Sequence, residues 1–455
     1  MSLVSIVRGR WRAQSFSISA HALWWLGVIG LALAVLTVLT PFAFRAGGDN
    51  VYMALTIPAG LLTIVAVRVA ANAPITRALV LILGLAFALR GFVTLFDPLL
   101  SSDIYRYVWD GKVQAAGINP YRYIPEHEAL APLRDTENFP HINRAHYAVT
   151  IYPPVAQIFF FVVTRIGESV TVMRLALLLC DAMTMLLIVL LLRRMERPLT
   201  HVVGYAWHPL PIWEVGNAGH VDALMVALMM LGLWLALTGR PLRGAAAIAF
   251  GALVKPLAWL ALPAAWRPWD WRLPCLVLVI TALCYVPYLS VGSGVFGFLT
   301  TGYLDEHGFA SGESIWPLAV WRLIFGTHHG DVIAYLAFAA LAIGAMAFSA
   351  ARQPAHMLDL KIAEIKRLLL AFLFLFSPVY PWYFLIVVPF VSLSGGAPVW
   401  TATIGALLLQ EEVASEPYIP PLARKSVLYV AFLLACAYSL WAARRHRIPE
   451  GDIVK

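Results

Sequence analysis

Runs of about 20 consecutive apolar residues recur along this chain, and no other property restricts its fold as much. A helix rises about 1.5 Å per residue, so each run is long enough to cross a hydrocarbon core about 30 Å thick. In lipid the backbone must satisfy its own hydrogen bonds, which leaves helices and closed barrels as spanning structures. The runs do not alternate apolar with polar residues, so a barrel is excluded. The chain reads as an all-α polytopic membrane protein. Composition agrees, because 61% of the 455 residues are apolar and 13% are charged, against about a quarter charged in soluble domains.

Basic residues orient the runs. Arg8, Arg10 and Arg12 precede the first, at 22–44, and place the N-terminus in the cytoplasm. Runs at 51–69 and 75–96 follow. The net charge of +8 gathers at run ends, as membrane topology requires and nucleic-acid binding does not. Carried to Arg444, Arg445, His446 and Arg447, this reading gives about fourteen transmembrane helices with both termini cytoplasmic. Two places are broken. The run at 155–166 is short and is expected to lie in the outer interface, and Lys255-Pro256 splits the run at 244–266. Four parts are expected: three spans in 1–96, an outer loop in 97–167, a transferase-like core in 168–300 and a C-terminal bundle in 301–455. Cys180, Cys275, Cys284 and Cys436 sit in or beside apolar runs, with no disulfide or metal spacing.

The segment 97–154 breaks the pattern. It carries twelve Asp, Glu, Lys and Arg in 58 residues, with His127, His141, His146 and many tyrosines. Connections between spans are normally short, so this loop is expected to form one wall of a site at the membrane surface. The other acids fit. Asp97, Asp103, Asp110, Glu214, Asp222, Asp305, Glu306, Glu313, Glu411 and Glu412 all fall on the predicted outer side. Coupled transporters place ionisable groups near the midplane instead.

Within the loop, Asp103, Arg106, Tyr107, Asp110 and Gln114 share one helical face, while Ile104, Tyr105, Val108, Trp109 and Val113 share the other. The spacing predicts an amphipathic interfacial helix over 103–114, capped by Ser101 or Ser102 and stopped by Gly117. Asp103 in its first turn serves either the helix dipole or chemistry. Asp110 is expected to pair with Arg106. The stretch Asn217-Ala-Gly-His220-Val-Asp222 reads as an outer turn whose acid either caps the next helix or binds a ligand. Lys255 inside an apolar run needs an anionic partner or a route to the interface. Tyr380-Pro-Trp382-Tyr383 suits an aromatic belt or a binding wall.

Taken in order, Asp103-x-x-x-Tyr107, Gly117-x-x-Pro120-Tyr121, Tyr152-Pro153-Pro154, Gly219-His220-Val221-Asp222, Lys255-Pro256 and Pro381-Trp382-Tyr383 resemble the polyprenyl-phosphate-sugar glycosyltransferases of the GT-C superfamily, family 87 in particular. The resemblance covers roughly 97–390. It departs in having three spans before the loop and His220 where relatives often carry Gln. It implies a GT-C-like bundle and an inverting transfer of a hexose or pentose, mannose favoured, from a polyprenyl-phosphate donor to a lipid or glycan acceptor at the outer face. Asp103 is then the general base. Lys255, Arg106, His220 and Asp222 contact donor or phosphate. Tyr107, Tyr121, Tyr152, Trp382 and Tyr383 line the sugar or lipid groove. No metal, cofactor or nucleic acid is implied. A transporter or flippase of lipid-linked sugars is the alternative, since it would share the groove without needing a base.

Overall fold

A computed structural model describes residues 3–354, 357–411 and 418–445, without the side chains of 3–19, 300 and 301. The arginines expected to orient the first span, and Glu412, His446 and Arg447, therefore lie outside the described side chains. All regular structure among the described residues is helical.

Helix α1, Leu3–Ala70, is continuous except at Gly48, whose φ of 60° and ψ of −151° are not helical. The chain reverses there. Gly30 and Thr63 would lie about 50 Å apart along an unbroken helix. Yet a Cβ on Gly30 would touch the Trp207 ring at 3.1 Å, and Thr63 Oγ1 donates to Trp207 O at 3.1 Å. The two arms and α2, Ile75–Val93, match the three apolar runs expected ahead of the loop.

The loop begins with α3, Asp103–Ala115, one residue longer than its periodicity predicts. Gly117, at φ +75°, stops it. After an irregular stretch, α4, Pro154–Ile166, starts at the expected proline pair. At 13 residues it rises about 20 Å, too little to cross. Helix α3 differs from expectation in one respect. It is not a surface helix with one wet edge, because both faces are buried. Its apolar side packs Trp109 and Val113 against Leu130, Ile142 and Ala145. Its polar side meets α4, where Gln157 donates to Asp110 at 3.0 Å and accepts from Gln114 at 2.9 Å. Gly111 permits the approach, since a Cβ there would fall 2.5 Å from Phe160 O.

Beyond α5, Val170–Arg194, the apolar stretch 201–215, one of the spans in the expected count, is not a regular helix, and neither is the chain on either side of it from 199 to 222. It is a series of short helical pieces, interrupted by Pro209, Pro211 and Gly216, and every residue from 202 to 223 is buried. Irregular backbone is tolerated at membrane depth only where protein surrounds it, and this segment has that cover. It leads into α6, Asp222–Leu237, then α7, Pro241–Ala252. These two pack through Gly232 and Gly244, each of whose Cβ positions would meet the other's carbonyl at 2.7 Å. Between helices in lipid, such small-residue packing replaces the hydrophobic drive. Lys255 follows in extended backbone, and a 3₁₀ stretch, Pro256–Ala264, completes the broken pair. Helices α8, Arg272–Tyr285, α9, Trp316–Phe325, α10, Asp331–Arg352, α11, Leu358–Phe376, α12, Ala397–Gly405, and α13, Pro421–Arg445, complete the bundle.

The count of about fourteen spans is not reproduced. Among the described residues six helices are long and apolar enough to cross a membrane, the first being the reversed α1, and five shorter apolar helices accompany them. The expectation that acids avoid the middle of the membrane also needs correction. Asp181, near the centre of α5, is fully buried and pairs with Arg90 at 2.6 Å.

Candidate active site

The site forms where the start of α3 meets the turn before α6. Asn217 makes the junction: its Oδ1 accepts from Leu99 N at 2.8 Å, and its Nδ2 donates to Asp97 O at 3.0 Å. Gly219 adopts φ +72°, and a Cβ there would fall 2.4 Å from Ile104 of α3. Both the backbone conformation and the close approach therefore require glycine. Tyr107, one turn into α3, is buried and accepts from Val221 N at 3.5 Å.

This junction sets Asp103 over His220. Ser101 Oγ accepts from Asp103 N at 3.2 Å. The Asp103 carboxylate accepts from Asn143 Nδ2 at 2.7 Å and from the Tyr152 hydroxyl at 3.2 Å, and its Oδ2 lies 3.9 Å from His220 Nδ1. On the other side of the turn, Lys255 Nζ donates to Asp222 Oδ2 at 2.5 Å and sits 5.9 Å and 5.4 Å from the ring centres of Trp382 and Tyr383. Trp382 stacks on His220 at 4.2 Å and on Tyr380 at 4.1 Å. Five separate stretches thus converge: 101–107, 143–152, 217–222, Lys255 and 380–383.

Exposure sorts the members. The side chains of Asp103 and Lys255 keep 15% and 14% of their surface, while those of His220, Glu214 and Asp222 keep none. Only the first pair can meet an incoming molecule without rearrangement. Burial pushes the Asp103 carboxyl up. The Asn143 hydrogen bond and the fields of Lys255 and Arg144 oppose it, and the group lies below the usual Asp value. It is ionised at neutral pH, as a proton acceptor must be.

Two expected residues go elsewhere. Arg106 is buried and spends its guanidinium on Asp110 at 2.8 Å and Ala148 O at 3.1 Å. The Tyr121 hydroxyl donates to Tyr152 O at 2.5 Å, and its ring packs on Tyr288. The Gly117–Tyr123 stretch borders a separate cleft of about 680 Å³, with Ile158, Phe161 and Pro287 opposite. Neighbours that sequence reasoning passed over are Asn143, Arg144 and the 303–307 stretch. Arg144 pairs with Glu306 at 2.7 Å and approaches His307 at 3.4 Å, and the Tyr303 and Tyr383 hydroxyls meet at 2.8 Å. The polar runs around them were visible, but no local spacing marked these partners. Among the described residues no group of three His, Cys, Asp or Glu is arranged to hold a metal.

No solved structure is detectably similar to the chain. Over 179 residues it is 30% identical to alpha-(1->6)-mannopyranosyltransferase A of Mycobacterium tuberculosis, covering 38% of this chain and 34% of that relative. The chain thus spans about a third of that relative's length. The family model for the N-terminal domain of alpha-(1->6)-mannopyranosyltransferases matches residues 7–269, more than half of the chain. That region contains Asp103, Asn143, Tyr152, His220, Asp222 and Lys255, although not the aromatic wall. By this match, the chain belongs to the alpha-(1->6)-mannopyranosyltransferase family.

Proposed function

We propose that the protein is a membrane mannosyltransferase that moves mannose from a polyprenyl-phosphate donor to a lipid or glycan acceptor at the outer membrane face, with inversion. The observation that carries this reading is the convergence of a partly exposed Asp103 and a partly exposed Lys255 at a belt of aromatic rings. The acceptor hydroxyl loses its proton to Asp103 as its oxygen attacks the anomeric carbon. The bond from that carbon to the donor phosphate breaks, and the phosphate keeps the electron pair. Lys255 offsets the charge that develops there. Asp222 holds Lys255 in place, and Asn143 and Tyr152 aim the base. Tyr383 offers a flat face to a sugar or to the lipid chain, and Trp382, buried and stacked on His220 and Tyr380, supports the wall behind it. Tyr303, His307 and the Arg144–Glu306 pair bring the second polar loop, 297–314, over the same space.

The test is turnover by the purified protein with a panel of polyprenyl-phosphate sugars. Consumption of the mannosyl donor is expected, and its loss in Asp103→Asn. A folded protein inactive with every donor would overturn the reading.

A further inference from the structure

Glu214, His220 and Asp103 make a line of polar groups through the floor of the site. His220 Nε2 lies 3.3 Å from Glu214 Oε2, and His220 Nδ1 lies 3.9 Å from Asp103 Oδ2. The ring is fully buried, and neither nitrogen makes a hydrogen bond of regular geometry. Its stacking on Trp382 fixes the ring plane. Out of reach of an incoming ligand, His220 does not fit the phosphate-contacting role expected from the sequence.

A neutral imidazole carries one N–H and one lone pair, and its neighbours decide which nitrogen has which. Full burial favours the neutral form of the His220 imidazole. With Glu214 as a carboxylate, which can only accept, the N–H sits on Nε2 and the lone pair on Nδ1. That lone pair faces Asp103. It gains nothing from an ionised carboxylate, but it accepts a hydrogen bond from a protonated one. Asn143, Lys255 and Arg144 favour the ionised form of Asp103, and the Tyr152 hydroxyl donates to it in this structure. His220 is the neighbour set to accept.

We propose that His220 is a positioning residue for the base: its Nδ1 accepts the O–H that Asp103 acquires during transfer, while Glu214 holds its Nε2–H. The proposal rests on the transferase reading. The proton leaves the acceptor hydroxyl for Asp103 Oδ2, the new bond forms from the acceptor oxygen to the anomeric carbon, and the donor phosphate departs with the bonding pair. The Asp103 hydroxyl then donates to Nδ1. The gap closes from 3.9 Å to a hydrogen-bond length of about 2.8 Å. His220 stays neutral throughout. After product leaves, Asp103 returns its proton to water.

Three variants test this. His220→Phe keeps a ring against Trp382 and removes both nitrogens. His220→Gln supplies an amide oxygen as a replacement acceptor. Each is also made in the Asp103→Asn background, where no carboxyl can be protonated. In detergent-purified protein, His220→Phe is expected to lower kcat about 100-fold with donor KM changed less than about threefold, a size typical of acid–base assistance. His220→Gln should recover at least tenfold of that loss. In the Asp103→Asn background, His220→Phe should cost nothing further, since groups acting as one unit are not additive. An unchanged kcat in His220→Phe, or an equal loss with and without Asp103, overturns the proposal. A loss confined to donor KM would return His220 to substrate binding. If His220→Phe does not fold, Glu214→Gln decides the matter by the same measurements. It frees the tautomer and should lower kcat about tenfold in the presence of Asp103 only. A wild-type protein without turnover refutes the transferase reading and this inference together. An active wild type with indifferent His220 and Glu214 variants refutes the inference alone.

Discussion

Two aspartates of this protein sit among cations and tyrosines, one enclosed and one partly exposed, and they do different things. Asp181 is fully enclosed in the bundle. Its carboxylate takes the Arg90 Nε–H at 2.6 Å on one oxygen and the Tyr205 hydroxyl at 2.6 Å on the other. Arg90 goes on to donate to Ala206 O at 2.7 Å. Asp103 accepts from Asn143 and Tyr152 in a similar way, but it keeps accessible surface and faces a neighbour that no regular bond engages. A buried charge whose partners fill its coordination is a pin between helices. One with surface and an incomplete partner is available for chemistry. Exposure and spare capacity together separate them.

The comparison can be broken in order of expected effect. Asp103→Asn should cost about 10³-fold in transfer rate, within the range for losing a general base, while thermal unfolding and detergent-solubilised yield stay near those of wild type. A well-folded Asp103→Asn protein of full activity would remove Asp103 from the mechanism. Asp181→Asn should do the reverse. It strands the Arg90 cation, and breaking a buried pair costs roughly 3–5 kcal/mol. The melting temperature should fall, with activity per folded molecule intact. Loss of activity at unchanged stability would erase the distinction between the two aspartates. Lys255→Met should lie between them. It should slow transfer about 10- to 100-fold by exposing the departing phosphate to less positive charge, and it should also lower stability because Asp222 loses its partner.

The smallest effect is a pH dependence. Burial pushes Asp135 up, but the Asn138 N–H and the Lys112 hydrogen bond outweigh it and hold the group at about 2. Glu306, against burial, is held below its usual value by Arg144, and Asp103 is held low as described. A depressed carboxylate stabilises the folded form above its unfolded value of about 4, and that contribution disappears as pH falls through the folded value. Protection from amide exchange in 135–147, taken relative to the intrinsic rate at each pH, should therefore be steady from pH 8 to 5 and fall between about 4 and 2. Equal protection at all these values would show that the loop does not depend on its carboxylates.

Much of the site's local geometry was legible. The 103–114 periodicity found α3 to within a residue, Gly117 marked its end, and the proline pair at 153–154 marked the start of α4. These depend on backbone preference and on i, i+3 and i+4 spacing, which the chain carries locally. The reading of α3 as a wet surface helix was not recoverable, because Leu130, Ile142 and Gln157 cover it only once the loop has folded. The stretch 201–215 counts as a span by sequence because its hydropathy is that of a span. Hydropathy records burial, and it does not distinguish lipid from surrounding protein.

Sequence by itself determined a helical membrane chain, the polar segment that interrupts it and the chemical types that segment offers. Only the tertiary structure decided which of those types meet. Lys255 reaches Asp222 across 33 residues and Asn143 reaches Asp103 across 40, while Arg106, adjacent in pattern, turns inward to Asp110. Helical periodicity reports which side chains share a face of one helix. Contacts between elements depend on where glycines such as Gly111, Gly219 and Gly232 let backbones come close, and on which buried donors find their acceptors there.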